Sequence, residues 1–473
     1  MTETLTPDIC VIGAGSGGLS VAAAAAMFGV SVVLIERGRM GGDCLNYGCV
    51  PSKALIAAGR HAQAMRGGTP FGIAAVEPEI DFAAVNAHVR AVIDAISPND
   101  SVARFTALGV RVIQAEAKFI DRRTVEAGGV RVRARRFVIA TGSSPAIPPI
   151  QGLADVPYLT NETVFDLKRR PSHLAIIGGG AVGLELAQAF RRLGARVTVI
   201  EKGAVLARED AEAVAIVRRS LLADGVEIRE KTEIVQVEPR GRTGMRIVTV
   251  RDGVSHAVDA SHMLVATGRR ANVEALDLSK ARIKAGPAGI EVGADLRTAN
   301  RRVYAIGDVA GGGFTHAANH HAGLVLRAIL FRLRVRRDAA AIPRVTFTQP
   351  ELAHVGMSEA EATAVRGARI LRWPYSENDR AQAERTTDGF IKLTADGRGK
   401  LLGATVVGEN AGEMINLYAL ALSKGLGVRD LAGFVAPYPT FAEIGKRAAI
   451  TYFASAARKP AVRRLVRFLR IFG

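Results

Sequence analysis

Cysteine is scarce in this chain, with three among 473 residues, and tryptophan is scarcer, with one. Three cysteines cannot build the disulfide framework of a small secreted protein, so a reducing compartment, the cytoplasm, is expected. Aromatic residues make up only 5%, and no basic run interleaved with them occurs over the first 450 residues. The net charge of +18 is therefore scattered and does not read as a nucleic-acid interface. No secretory leader is expected, because Met1 to Pro7 is short, polar and lacks a basic start. Ile9 to Ile35 carries no charge at all, a run long enough to suggest a membrane span. Glycines at 13, 15, 17 and 18 and the break at Gly29 favour a buried strand–helix–strand instead.

The chain is too long for one ordinary core, and 48% hydrophobic residues suffice for two to four domains. A short apolar strand, Ile9 to Ile12, leads into Gly13-Ala-Gly15-Ser-Gly-Gly18. An alanine-rich helix follows, then a second strand ending at Glu36. A GxGxxG motif alone is weak. Between a strand and a helix, with an acid about twenty residues on, it is a dinucleotide fingerprint. Glycine lets backbone amides approach a pyrophosphate at the helix start, and Glu36 can accept hydrogen bonds from a ribose. The pattern repeats at Gly178-Gly-Gly180-Ala-Val-Gly183, with its acid at Glu201. Each unit closes on the same phrase, Ala-Thr141-Gly142 and Ala-Thr-Gly268. Two such folds imply two dinucleotides, and a flavin with a nicotinamide is the economical pair. A third phrase, Val303 to Gly307-Asp308, ends a strand in a carboxylate suited to a ribityl hydroxyl. The helix expected to open near Thr315 would direct its positive end at a flavin ring edge.

Two of the three cysteines, Cys44 and Cys49, lie inside GGDCLNYGCVPSKAL, residues 41–55. Their spacing is too wide for a zinc knuckle, no second ligand pair completes a site, and no metal site is expected. Gly41, Gly42 and Gly48 permit a distorted first helical turn, and a disulfide needs Cα atoms within ~7 Å. The stretch reads as a redox-active disulfide at a helix start, where the dipole favours thiolate. Cys10, inside the first strand, reads as a small core residue.

These motifs together resemble the pyridine nucleotide–disulfide oxidoreductases, the family of dihydrolipoamide dehydrogenase, glutathione reductase and mercuric reductase. The resemblance runs from about residue 7 to about 455 and includes Pro343 to Gly356, similar to the start of the family's interface domain. It implies an α/β protein with two Rossmann-like domains and a C-terminal α+β dimerisation domain, assembled as a homodimer. The implied order is 1–150 for the FAD-binding part with the redox pair and 151–270 for the NAD(P)-binding domain. A return segment follows at 271–342, an interface domain at 343–455 and a basic tail at 456–473. Electrons would pass from NAD(P)H through FAD to Cys44–Cys49 and on to an acceptor, as in disulfide or metal-ion reductases. The resemblance makes Cys49 the thiolate beside the flavin and Cys44 the thiol that meets the acceptor. It places Lys53, with Glu185 as its partner, near the flavin edge. Glu201 suits the free 2′-hydroxyl of NADH and would repel a 2′-phosphate, so NADH is favoured.

The relatives that act on dithiols have a His-Pro-Thr sequence near the C-terminus, followed by Glu. Here Tyr438-Pro439-Thr440 stands in that place, with Glu443 after it. A phenol with pKa near ~10 is a poor general base at neutral pH. Tyrosine here is similar to mercuric reductase, but no cysteine follows Cys49 to hand a soft metal inward. The acceptor is expected among metal ions, small disulfides and quinones. A dihydrolipoamide dehydrogenase-type enzyme is the alternative, and a membrane-associated flavoprotein that senses NADH without turnover is the rival of another class. His320 and His321 are expected to be surface or packing residues rather than to replace the missing histidine. The last stretch, RKPAVRRLVRFLRIFG, has six basic residues and no acid. At helical spacing Val462, Leu465, Val466, Leu469 and Phe472 share one face. Arg463, Arg467 and Arg470 share the other, with Arg464 beside them. Such a helix suits the inner, anionic surface of a membrane.

Overall fold

The computed structural model describes residues 3–241, 244–457 and 459–472; Arg458 and Gly473, the two ends of the basic tail, lie outside the described residues. The chain forms two compact units. The first contains residues 1–204 and 226–337. Its larger sheet is parallel and five-stranded, in the order Val303–Ala305, Arg136–Ile139, Ile9–Ile12, Val32–Glu36, Arg111–Gln114. Ile9–Ile12 is buried along its whole length and Val32–Glu36 up to its last residue. That is why these strands are unbroken apolar runs: a parallel sheet covered on both faces leaves no polar side. Helix Ser16–Met27 buries Leu19, Val21, Ala22 and Ala25 between them. The strands and the inner face of the helix in the uncharged run Ile9 to Ile35 are therefore interior, while Met27 and Phe28 at the helix end are exposed, and among the described residues no helix is long and apolar enough to cross a membrane.

The second parallel sheet repeats the arrangement with Glu227–Arg229, Arg196–Ile200, His173–Ile177 and His262–Val265. An antiparallel meander, Glu233–Arg240, Gly244–Arg251 and Val254–Ala260, precedes its last strand and packs Val237, Met245 and Ile247 against Ile177 and Ile200. The strands after the two AlaThrGly phrases, Ser143–Pro145 and Arg269–Ala271, pair with each other antiparallel.

The second unit contains residues 205–225 and 338–473. Its antiparallel sheet runs Arg344–Thr346, Glu351–Gly356, Leu401–Gly408, Phe390–Ala395, Arg369–Pro374. Helices Ala411–Lys424 and Glu443–Ala457 bury Ile415, Tyr418, Ile444 and Ala448 in its core. Helix Ala211–Ala223, which the sequence groups with the second dinucleotide fold, belongs to this compact unit. The reason is partly ionic. Lys392, only 9% exposed, lies 2.9 Å from Asp210, 3.0 Å from Glu212 and 2.7 Å from Glu359. Burial alone would depress its ammonium, but hydrogen bonds to Glu359, Asp210 and Glu212 outweigh that and hold it above the ordinary lysine value. Lys392→Met would leave three carboxylates facing one another. The expected loss is about 3–5 kcal/mol, read as a fall in the denaturation midpoint. An unchanged midpoint would show the cluster to be solvated rather than structural.

Candidate active site

The two fingerprint loops have the same geometry. A Cβ on Gly13 would meet the Ala140 oxygen at 2.4 Å, and one on Gly178 would meet the Ala266 oxygen at 2.4 Å. A Cβ on Gly18 or Gly183 would meet the oxygen of Gly13 or Gly178 at 1.9 or 2.1 Å. These positions admit only glycine. Gly15 and Gly180 are different, because nothing lies within 4 Å of a Cβ built there. They cap helices Ser16–Met27 and Ala181–Arg192, and no side chain caps either helix. Uncapped amides facing open space suit a pyrophosphate. The acids are held alike. Glu36 accepts from the Ala14 and Gly38 amides at 2.6 and 2.7 Å. Glu201 accepts from those of Gly179 and Gly203, both at 2.7 Å. Both carboxylates are thus fixed at the strand end before any ribose arrives, so the residues present fit two dinucleotides.

The cysteine stretch does not form a single distorted turn. Cys44 lies in a short helix, Gly42–Asn46, that Gly41 enters at φ 86°. Tyr47 and Gly48 break the helix, and Cys49 opens the long helix Cys49–Arg66. The break brings the two free thiols near enough for each to act on the other's ionisation, with Cys49 exposed and Cys44 half-buried. Their acidities are driven apart. The hydrogen bond from Cys44 is the main influence pulling Cys49 down to about 6, against burial, with help from Thr315 and the Lys53 charge. The same contact, with burial and the Cys49 charge, pushes Cys44 well above the ordinary thiol value. Cys49 is therefore the thiolate and Cys44 the proton holder at neutral pH. Thr315, placed by the sequence near the flavin, lies 3.4 Å from the Cys49 sulfur. In the reduced protein, alkylation of Cys49 should rise with pH through an apparent pKa of about 6. Thr315→Val should raise that value by about one unit, since it removes a hydrogen bond to the charged form. A midpoint near that of an ordinary thiol in the wild type would contradict this electrostatic picture. Cys10 is wholly buried, and burial pushes its thiol up, as befits a core residue.

Lys53 lies one turn beyond Cys49 and donates to Glu185 at 2.8 Å. Glu185 is buried on helix Ala181–Arg192. Gly59 permits the crossing, since a Cβ there would lie 3.3 Å from the Ala189 Cα. A second network was not foreseen. Arg269, directly after Gly268, donates to the Ser143 hydroxyl and carbonyl, both at 2.7 Å, and pairs with Asp43 at 3.2 Å. The Ser143 hydroxyl donates to Asp308 at 2.6 Å. Arg269 thus ties the residue beside Cys44 to the strand-end carboxylate. Its only sequence signal is its place after the second AlaThrGly phrase. The Thr141 hydroxyl donates to the Asn272 carbonyl at 2.7 Å, just before Gly142 turns at φ 67°. His321 is buried and accepts from the Gly307 amide at 3.4 Å. Burial, with the charges of His320 and Arg337, depresses it to about 4, so it packs as a neutral ring.

In the second unit the Tyr438 side chain is 70% exposed, and its hydroxyl donates to Asp379 at 2.7 Å. That hydrogen bond, then the Asp379 charge and that of Glu443, holds the phenol above its usual value. Glu443 opens helix Glu443–Ala457. Asp379, the direct partner, was missed because nothing in its sequence surroundings points to residue 438.

Comparison with known proteins agrees with the geometry. The family described as pyridine nucleotide-disulphide oxidoreductase matches residues 7–359, and its dimerisation domain matches residues 342–449. A mercuric reductase of Streptomyces lividans is 38% identical over 461 residues, covering 95% of this chain and 97% of its own. A dihydrolipoyl dehydrogenase of Geobacillus stearothermophilus is 34% identical over 458 residues, covering 95% of each. The crystal structure of LpdA from Mycobacterium tuberculosis superposes with a TM-score of 0.86 at 27% identity, covering 95% of this chain and 99% of that one.

Proposed function

We propose, from the premise that this chain belongs to the pyridine nucleotide-disulphide oxidoreductase family, that it is an NADH-dependent reductase working through Cys44 and Cys49. It is a flavoprotein disulfide oxidoreductase of the mercuric reductase and dihydrolipoyl dehydrogenase type, with the dimerisation domain of a homodimer. The family binds FAD and NAD(P)H. Gly13, Gly15, Gly18, Glu36, Gly42, Lys53, Thr141, Gly142, Gly307, Asp308 and Thr315 would hold the FAD. Gly178, Gly180, Gly183, Glu201 and Gly268 would hold the nicotinamide dinucleotide. Bound together, these groups supply the two-electron chemistry that links a nicotinamide to a disulfide.

The observation that carries the reading is geometric: Cys44 and Cys49 flank the break before helix Cys49–Arg66, with Thr315 3.4 Å from the Cys49 sulfur and the Lys53–Glu185 pair one turn on. Cys49 stays charged for electron exchange while Cys44 keeps a proton. With a disulfide acceptor, Cys44 passes its proton to the Cys49 thiolate and attacks as the thiolate, forming a mixed disulfide and releasing one thiol, which takes that proton back from Cys49. Cys49 then attacks Cys44, closes the pair and releases the second thiol. Two electrons leave the pair; one proton comes from Cys44 and one from solvent. Tyr438, held protonated by Asp379, is poorly suited to relay that proton. This supports an acceptor whose reduction takes up no proton, a metal ion, over disulfides and quinones, which do. The relatives named mercuric reductase favour the metal, although no thiolate after Cys49 is present to deliver it. The test is an acceptor screen with NADH: Hg²⁺, Cu²⁺, quinones, glutathione disulfide, lipoamide and oxygen. Metal-ion rates should exceed those with lipoamide. Lipoamide turnover above all others would favour a dihydrolipoyl dehydrogenase instead. Flavin bleaching by NADH with no acceptor turned over would favour the sensing role.

Cofactor choice rests on Glu201. Its carboxylate is fixed by two amides and would face a 2′-phosphate with like charge. Glu201→Arg should move the NADPH/NADH ratio of kcat/KM by about 10- to 100-fold towards NADPH, the worth of one charge-assisted contact. A wild-type enzyme that already prefers NADPH would contradict this assignment.

A further inference from the structure

The C-terminal segment takes no part in the site. Helix Pro460–Leu469 has no buried residue. Surface helices normally put their apolar stripe against a core. Here Leu465, Val466 and Leu469 are 55%, 51% and 54% exposed. The preceding helix differs, for Ile444, Ala448 and Ala449 on it are fully buried. The polar side of the terminal helix bears Arg463, Arg464 and Arg467, with Arg470 at its C-cap and Lys459 before it. No acid occurs among residues 459–472. The helix ends at Leu469, and turns in which the Ile471 and Phe472 amides donate to the Phe468 and Leu469 carbonyls carry the chain on from it. The Phe472 ring meets the Phe468 ring edge-on, with centroids 5.2 Å apart, and both rings are exposed.

We propose that this helix lies flat on the surface of an anionic lipid bilayer. Ten residues span about 15 Å, half the hydrocarbon thickness, so the helix cannot cross it. An apolar stripe flanked by arginines can sink into the acyl boundary while the guanidinium groups reach lipid phosphates. The charge selects this occupant over a second copy of the tail, which would bring another row of arginines and no carboxylate to answer it. The inference is independent of the acceptor and of the redox pair.

The test is co-sedimentation of the full-length flavoprotein with vesicles. One set is pure phosphatidylcholine; the other contains about one third phosphatidylglycerol, which supplies the anionic surface potential. Binding should occur with the second set, fall as salt is raised, and be weak with the first. Arg464→Gln with Arg467→Gln and Arg470→Gln should weaken it about 100-fold, from three lost phosphate attractions. Leu465→Ser with Leu469→Ser should weaken it at least as much through lost apolar burial. Both variants should keep wild-type NADH turnover, which shows that they fold. Equal binding to both vesicle types, binding to neither, or full binding by the arginine variant would overturn the proposal. So would a dimer that dissociates in the leucine variant while vesicle binding is unchanged, since that assigns the face to a second copy.

Discussion

Cys44→Ser and Cys49→Ser should each cut acceptor reduction by at least about 10³-fold, because each removes one of two sulfurs that act as a unit. Reduction of the bound flavin by NADH should survive in both. The variants should then separate by spectrum. Cys44→Ser keeps the thiolate at Cys49, which Thr315 and Lys53 still favour, and should retain long-wavelength absorbance between thiolate and flavin. Cys49→Ser should lose it. The reverse assignment would swap the roles of the two sulfurs. Acceptor turnover near wild type in either variant would show that electrons bypass the pair.

Lipoamide turnover in the wild type should fall about 10²- to 10⁴-fold below that of a histidine-bearing relative, the usual worth of general acid–base catalysis. The structure strengthens the argument. Asp379 holds the Tyr438 proton at 2.7 Å and shifts the phenol further from neutrality. Tyr438→His should raise lipoamide activity, with Asp379 or Glu443 available to orient the new imidazole. Tyr438→Phe should leave the weak wild-type rate unchanged. High wild-type lipoamide turnover that Tyr438→Phe does not affect would show that another group carries the proton.

The motifs that repeat were legible from the sequence. Gly13 and Gly178, and Glu36 and Glu201, sit at equal spacing because each pair solves the same local problem, a strand that must turn directly into a helix. Cys44, Cys49 and Lys53 were legible because they lie within one short stretch. What was not legible is what folding brings from afar. Arg269 meets Asp43 and Ser143 across more than a hundred residues. Thr315 reaches Cys49 across 266. Lys392 gathers Asp210 and Glu359 from 182 and 33 residues before it. None of these partners has a spacing that a local pattern could reveal. The break at Tyr47-Gly48 was hidden for another reason: the glycines permit several conformations, and packing selects one.

The central claim is that Cys44 and Cys49 form a disulfide that NADH reduces through the bound flavin. The chain has three cysteines, so a thiol count decides it. The air-oxidised protein, denatured under a thiol-trapping reagent, should show one free thiol per chain, that of Cys10. The same protein treated anaerobically with excess NADH before denaturation should show three. Three thiols before reduction, or one after it, would contradict the account.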